Sequence, residues 1–167
     1  GLKLPDADVN QVRHHVALAH GLAVQAIRAH GRAGTRAGPA ENIAACVPAF
    51  DTSDNVRAAE MATRELNSGF LGVILEGKYT DGFLQYAGKD APKFTADELK
   101  IISSPNDFVG LNIYAPQFYI AASDKAPGWR VLPFPGSFPH MNSDWLRVGP
   151  ETIYWAPRLA AKVWNIE

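Results

Sequence analysis

The sequence predicts an α/β fold in which helices alternate with short buried strands. Three observations carry that expectation. A helical stripe of apolar residues runs through positions 8–30. A short apolar run, Ile43-Ala44-Ala45-Cys46-Val47, lies between two helical stretches. A second run, Phe108-Val109-Gly110-Leu111-Asn112-Ile113-Tyr114, follows further helices. Strands separated by helices pair in parallel as βαβ units. Two strands are too few for a stable sheet, so the chain reads as part of something larger.

The elements follow in chain order. Pro5, Asp6 and Asp8 open the first helix, because acidic side chains complement a helix N-terminus. Val9, Val12, Val16, Ala19, Ala23 and Ile27 recur at spacings of three and four, which predicts a stripe facing a core. Gly31 and Gly34 end the helix, and residues 31–39 form a loop. After the Ile43–Val47 strand, Asp51, Thr52 or Asp54 caps a helix whose apolar side is Val56, Ala59, Met61, Ala62 and Leu66. Asn67-Ser68-Gly69 stops it. Residues 70–75 are apolar, Gly77-Lys78-Tyr79 turns, and Phe83, Leu84 and Tyr86 suit a short helix. Thr95 with Glu98 three residues later has the pattern of a capping box. From Ala115 the chain reads as a long loop rich in Pro, Gly and aromatics. A last helix covers about 150–164, with Ile153, Leu159 and Val163 apolar.

Composition excludes several function classes. The chain has 167 residues, enough for one domain with a sizeable core. It is 47% apolar and 20% charged, which is not a disordered composition. Sixteen basic residues against 17 acidic ones argue against nucleic-acid binding through bulk charge. No apolar run approaches the roughly 18–20 residues of a membrane span. With Cys46 alone, no internal disulfide or Cys-rich zinc site is expected. The start, Gly1-Leu2-Lys3-Leu4-Pro5-Asp6, has neither Met nor a signal-type apolar stretch and reads as a cut end. That start and the lone cysteine give the expectation of a cytoplasmic location.

Most local motifs carry little chemistry. Gly31, Gly34 and Gly38 match neither phosphate-loop spacing and follow a helix rather than a strand, so a surface loop with Arg28, Arg32 and Arg36 as solvated charges is the better reading. His14, His15 and His20 lack the i, i+3 or i+4 spacing of a helical metal pair. Cys46 in an apolar run is expected to be inert. Glu41 and Glu76 have no partner that spacing identifies. Asn112 and Tyr114 differ: two residues apart on a strand, they face one side, near the strand's C-terminal end. A half-buried strand aromatic and a turn asparagine fit that pattern equally well. In the segment after them, Phe118, Tyr119, Trp129, Phe134, Phe138 and Trp145 could stack on sugar rings, although for most of them anchoring the loop is the better reading.

Together these pieces resemble, in order, an interior stretch of glycoside hydrolase family 1, the β-glucosidases. Val12-Arg13-His14-His15-Val16-Ala17-Leu18-Ala19-His20-Gly21 is similar to the helix after the family's fourth barrel strand. Asn67-Ser68-Gly69-Phe70-Leu71 with Gly77-Lys78-Tyr79, Lys93-Phe94-Thr95, and Trp145 near Gly149-Pro150-Glu151 resemble later segments. Asp107 to Tyr114, resembling the sixth strand, is the most specific match. Gly72-Val73, Thr80 and Ile113 depart from the family pattern outside the sugar contacts.

The resemblance implies a partial (β/α)8 TIM barrel, from about the fourth helix to the helix before the seventh strand. Residues 1–167 would be an interior segment of one catalytic domain, since a whole barrel needs about 250 residues. It implies retaining hydrolysis of a terminal β-glycoside by two carboxylates about 5–5.5 Å apart. The family's Asn-Glu-Pro and Thr-Glu-Asn-Gly motifs, which carry those glutamates, do not occur here, and Glu167 is not the nucleophile on this reading. By the same resemblance Tyr114 supports the nucleophile, Asn112 lies near the bound sugar, Trp145 walls the aglycone subsite and Trp129 lines the entrance. No metal or cofactor is implied. The partners are a β-glucoside or oligosaccharide and the flanking barrel segments, as separate chains or pieces of one enzyme, without which the chain is inactive. The alternatives are a non-catalytic carbohydrate-binding or scaffold fragment and a phosphate-binding protein using the Gly31–Gly38 loop.

Overall fold

A computed structural model describes residues 3–143 and 145–166. Gly1 and Leu2 of the cut-looking start, and Glu167, lie outside the described residues. The chain forms two compact units, Gly1–Glu41 with Asn67–Gly110, and Asn42–Leu66 with Leu111–Glu167.

In the first unit, helix α1 spans Asp6–His30. A π-helical turn at Ser68–Gly72 runs into α3, Val73–Glu76, which ends at Gly77 in the left-handed conformation. Helices α4, Asp81–Ala87, and α5, Ala96–Ile102, follow. The Thr95–Glu98 capping box is complete: Glu98 N–H donates to Thr95 Oγ1, and Thr95 N–H donates to the Glu98 carboxylate at 2.7 Å. Ala17, Val73, Ile74, Tyr79 and Ile102 form the core, with Phe70, Phe83, Leu84 and Leu99 packed around it.

The apolar stripe of α1 does not face that core. Val12 and Val16 are each 50% exposed, and Ala19, Ala23 and Ile27 are exposed too. The buried face is the opposite one: His14, Ala17, Gly21 and Val24. Backbone proximity is the reason. A Cβ on Gly21 would lie 2.0 Å from the Ile101 carbonyl oxygen, so the glycine lets α5 approach more closely than any side chain would permit.

In the second unit, α2 spans Ser53–Leu66 and α6 spans Thr152–Trp164. Thr52 caps α2, its hydroxyl accepting from the Asn55 side chain at 2.7 Å. Strand β2, Cys46–Pro48, pairs in parallel with β4, Phe118–Ala122, and β4 pairs antiparallel with β5, Trp129–Leu132. Small residues of α2 (Ala58, Ala59, Ala62) close on Cys46, Ile120 and Leu159 to make this core. Val56, Met61 and Leu66 are not among the buried residues of α2, and Ile153 of α6 is 66% exposed. A separate two-stranded sheet joins β1, Ala40–Asn42, to β3, Gly110–Asn112.

Three strand expectations therefore change. Residues 43–45 lie in no strand; β1 ends before the run, at Asn42, and only its Cys46 and Val47 are extended, in β2. The second strand is only Gly110–Asn112. The long loop holds a hairpin, β4–β5, so the three-stranded sheet is mixed rather than parallel. Phe118-Tyr119-Ile120 is rich in strand-forming residues, a signal outweighed by the Pro and Gly around it.

Candidate functional site

β3 ends at Asn112, and the exposure alternation across residues 111–114 puts Asn112 and Tyr114 on one side, both exposed. Tyr114 is 62% exposed and Trp145 equally so. The two rings meet edge to face, centroids 6.1 Å apart at 80°. Exposed aromatics arranged at right angles offer one flat wall and one edge with a hydroxyl, which suits a ring carrying both apolar faces and polar groups.

Trp129 is placed elsewhere. It is half-buried on β5 and packs against the cluster of Cys46, Ala59, Ile120 and Leu159, with its indole N–H buried and unpartnered. Among the described residues no ring contact joins it to the Tyr114–Trp145 pair. Tyr119, Phe134 and Phe138 pack together, centroids 4.8–5.8 Å apart. The Tyr119 hydroxyl donates to the Glu151 carboxylate. Burial and that carboxylate both raise the Tyr119 pKa, so the phenol stays protonated. Arg147 lies 4.1 Å above the Phe134 ring. No spacing in the sequence announced these ties, because apart from Phe134 with Phe138 they join residues 13–32 positions apart.

The competing motifs are spent on structure. Arg28 donates to Asp107 at 2.6 Å and to the Thr35 carbonyl at 3.0 Å, and Arg36 donates to the Asp107 carbonyl. Hydrogen bonds from the Ala37 N–H and Arg28 hold the Asp107 carboxyl below its ordinary range. The glycine loop is thus clamped by a carboxylate, which opposes phosphate binding. His14 is fully buried with Nδ1 3.0 Å from the Tyr79 hydroxyl. Burial pushes the Cys46 thiol up to about 12, so it is no nucleophile at neutral pH. An open groove beside α1 is lined by Asp8, Gln11, His15, Lys89, Lys93 and Glu98. Gln11 there is engaged twice by the Lys93 backbone. Among the described residues no three His, Cys, Asp or Glu side chains cluster to hold a metal, and no helix is long and apolar enough to cross a membrane.

The sequence profile of glycosyl hydrolase family 1 matches residues 1–154. The chain is 34% identical over 126 residues to a β-glucosidase of an Agrobacterium species, covering 75% of this chain and 26% of that protein. It is 29% identical over 150 residues to β-glucosidase A of Acetivibrio thermocellus, covering 86% and 32%. Among solved structures, virulence factor SghA from Agrobacterium tumefaciens matches with a TM-score of 0.71 at 24% identity, over 97% of this chain and 36% of that one. A rice β-glucosidase mutant in covalent complex with glucose matches with a TM-score of 0.70 at 25% identity, over 92% and 36%. The chain spans about a quarter to a third of the length of these curated relatives. Its fold is part of a (β/α)8 barrel, and the match over nearly its whole length means that this chain belongs to glycosyl hydrolase family 1.

Proposed function

We propose that residues 1–167 are an interior segment of one retaining β-glucosidase barrel, and that flanking segments supply the acid/base and nucleophile glutamates. The exposed Tyr114–Trp145 pair just beyond β3, in a chain of this family, is the observation that carries the reading. In such barrels, groups at the C-terminal ends of strands line the active site. Tyr114 donates its hydroxyl to the nucleophile carboxylate and favours the charged form that attacks. Asn112 offers an amide to sugar hydroxyls. Trp145 stacks against the aglycone, and the half-buried Trp129 offers the entrance its outer edge only. The uncovered stripe of α1 supports the same reading, since an apolar helix face calls for a covering layer.

The experiment is native mass spectrometry and aryl β-glucoside hydrolysis, with the chain alone and mixed with flanking segments. Hydrolysis by the assembly and none by the chain alone supports the proposal. Hydrolysis by the chain alone overturns it, and assembly that binds glucosides without cleaving them favours a carbohydrate-binding fragment. In the active assembly, Tyr114→Phe is expected to lower kcat roughly ten- to hundredfold with little change in KM, the loss of one hydrogen bond to a charged group.

A further inference from the structure

The described residues between Phe138 and Glu151 fold into a short antiparallel hairpin with Trp145 at its tip. The Met141 N–H donates to the Leu146 carbonyl at 2.9 Å, and the Val148 N–H donates to the Pro139 carbonyl at 2.9 Å. His140 pairs with Arg147 between them, and the Leu146 N–H closes the tip on the Ser143 carbonyl at 2.9 Å. These bonds fix the shape of the hairpin but not its direction, and an isolated two-stranded hairpin is marginal in water. Direction comes from the root.

At the root, the Arg147 guanidinium stacks on Phe134, and Phe134 meets Phe138 and Tyr119 edge-on. Tyr119 belongs to β4, the central strand of its sheet, and its hydroxyl holds Glu151 at the start of α6. Gly149 lies flat against this root. A Cβ there would be 2.5 Å from Pro116 Cγ and 3.2 Å from the Tyr119 hydroxyl oxygen. Pro116 is two residues beyond Tyr114. The same contacts that aim the hairpin therefore hold the segment after β3 on which Tyr114 sits, and the Trp145 ring arrives at right angles to the Tyr114 ring.

We infer that the hairpin built from residues 139–143 and 145–148 is a mount for Trp145, and that Arg147, Tyr119 and Glu151 are positioning residues that set aglycone selectivity through it. The selectivity part rests on the β-glucosidase reading; the mount does not. A cation–π contact biases a conformational equilibrium about two- to thirtyfold, enough to decide whether a marginal hairpin is held or swings.

The test has two readouts. In the 167-residue chain, the Trp145 contribution to near-ultraviolet circular dichroism is taken as the difference from Trp145→Phe. Arg147→Ala is expected to remove at least about half of it, with the far-ultraviolet spectrum unchanged, and Arg147→Lys, which keeps the cation, to restore most of it. Tyr119→Phe, keeping the ring and losing the hydroxyl, is expected to weaken the same signal. An unaltered Trp145 signal in both Arg147→Ala and Tyr119→Phe overturns the mount. In the barrel completed by its flanks, Arg147→Ala is expected to raise KM for an aryl β-glucoside about fivefold and to leave KM for methyl β-glucoside nearly unmoved. A lost dichroism signal without that KM split upholds the mount and overturns the aglycone role of Trp145.

Discussion

His14 shows how a single residue can look functional in the sequence and prove structural. It is fully buried, and its Nδ1 meets the Tyr79 hydroxyl at 3.0 Å. Its Nε2 faces the Glu98 carboxylate at 3.8 Å, beyond hydrogen-bonding distance. The carboxylate favours the tautomer with the proton on Nε2, leaving Nδ1 to accept from Tyr79. Burial keeps that phenol protonated by raising its pKa to about 12. Burial also lowers the pKa of His14 below its ordinary 6.5, against the pull of Glu98 and with help from His15. In the unfolded chain His14 therefore takes up its proton first as pH falls. Its contribution is fully present above about pH 6.5 and is lost as pH drops toward the folded value, at no more than about 1.4 kcal/mol per pH unit. Urea unfolding from pH 7.5 to 5.5 should show falling stability. His14→Gln should flatten that slope while lowering stability at pH 7.5, because the buried ring's packing is lost. An equal slope in both proteins would assign the acid sensitivity to another group.

Among the elements, what was legible in the sequence was whatever local chemistry decides. The span of α1, the Thr95–Glu98 box and the last helix follow from caps and periodicity, and all three form. The approach of one backbone to another was not legible. Periodicity marked Val12, Val16 and Ile27 as the inner face of α1, but it could not show that Gly21 lets the Ile101–Ile102 backbone dock on the opposite face. The β4–β5 hairpin was hidden for a related reason: Pro116, Pro127, Gly128 and Pro133 crowd its ends and gave the segment the composition of a loop. At the candidate site, the period-two pairing of Asn112 with Tyr114 was readable, whereas the meeting of Tyr114 with Trp145 depends on a hairpin no motif announces. Gly21→Ala tests the docking argument. The added methyl group meets backbone rather than a movable side chain, so a loss of about 1–3 kcal/mol is expected in denaturant unfolding. Gly136→Ala, with nothing within 4 Å of the new carbon, should change stability by less than about 0.5 kcal/mol.

The whole molecule leaves more apolar surface open than a chain of this size needs to. Val12, Val16, Leu22 and Ile27 are exposed along α1, and Ile153 and Tyr154 along α6. Single exposed apolar residues are ordinary, but a stripe at helical spacing from Val12 to Ile27 of a 25-residue helix is not. The chain spans about a third of its structural relatives, and on the proposed reading the face awaits the layer that the rest of a barrel would provide. The double substitution Val12→Lys, Val16→Lys separates this account from a purely internal role. Neither side chain is buried, so thermal unfolding of the chain alone should shift little, within about 1 kcal/mol. Assembly with flanking segments should fail, because two ammonium groups would have to be buried without partners against an apolar layer. Native mass spectrometry would then find the variant chain by itself under conditions where the unsubstituted chain carries its flanks. If the variant assembles as well as the original, α1 presents that stripe to water in the assembly, and the covering layer lies over another face.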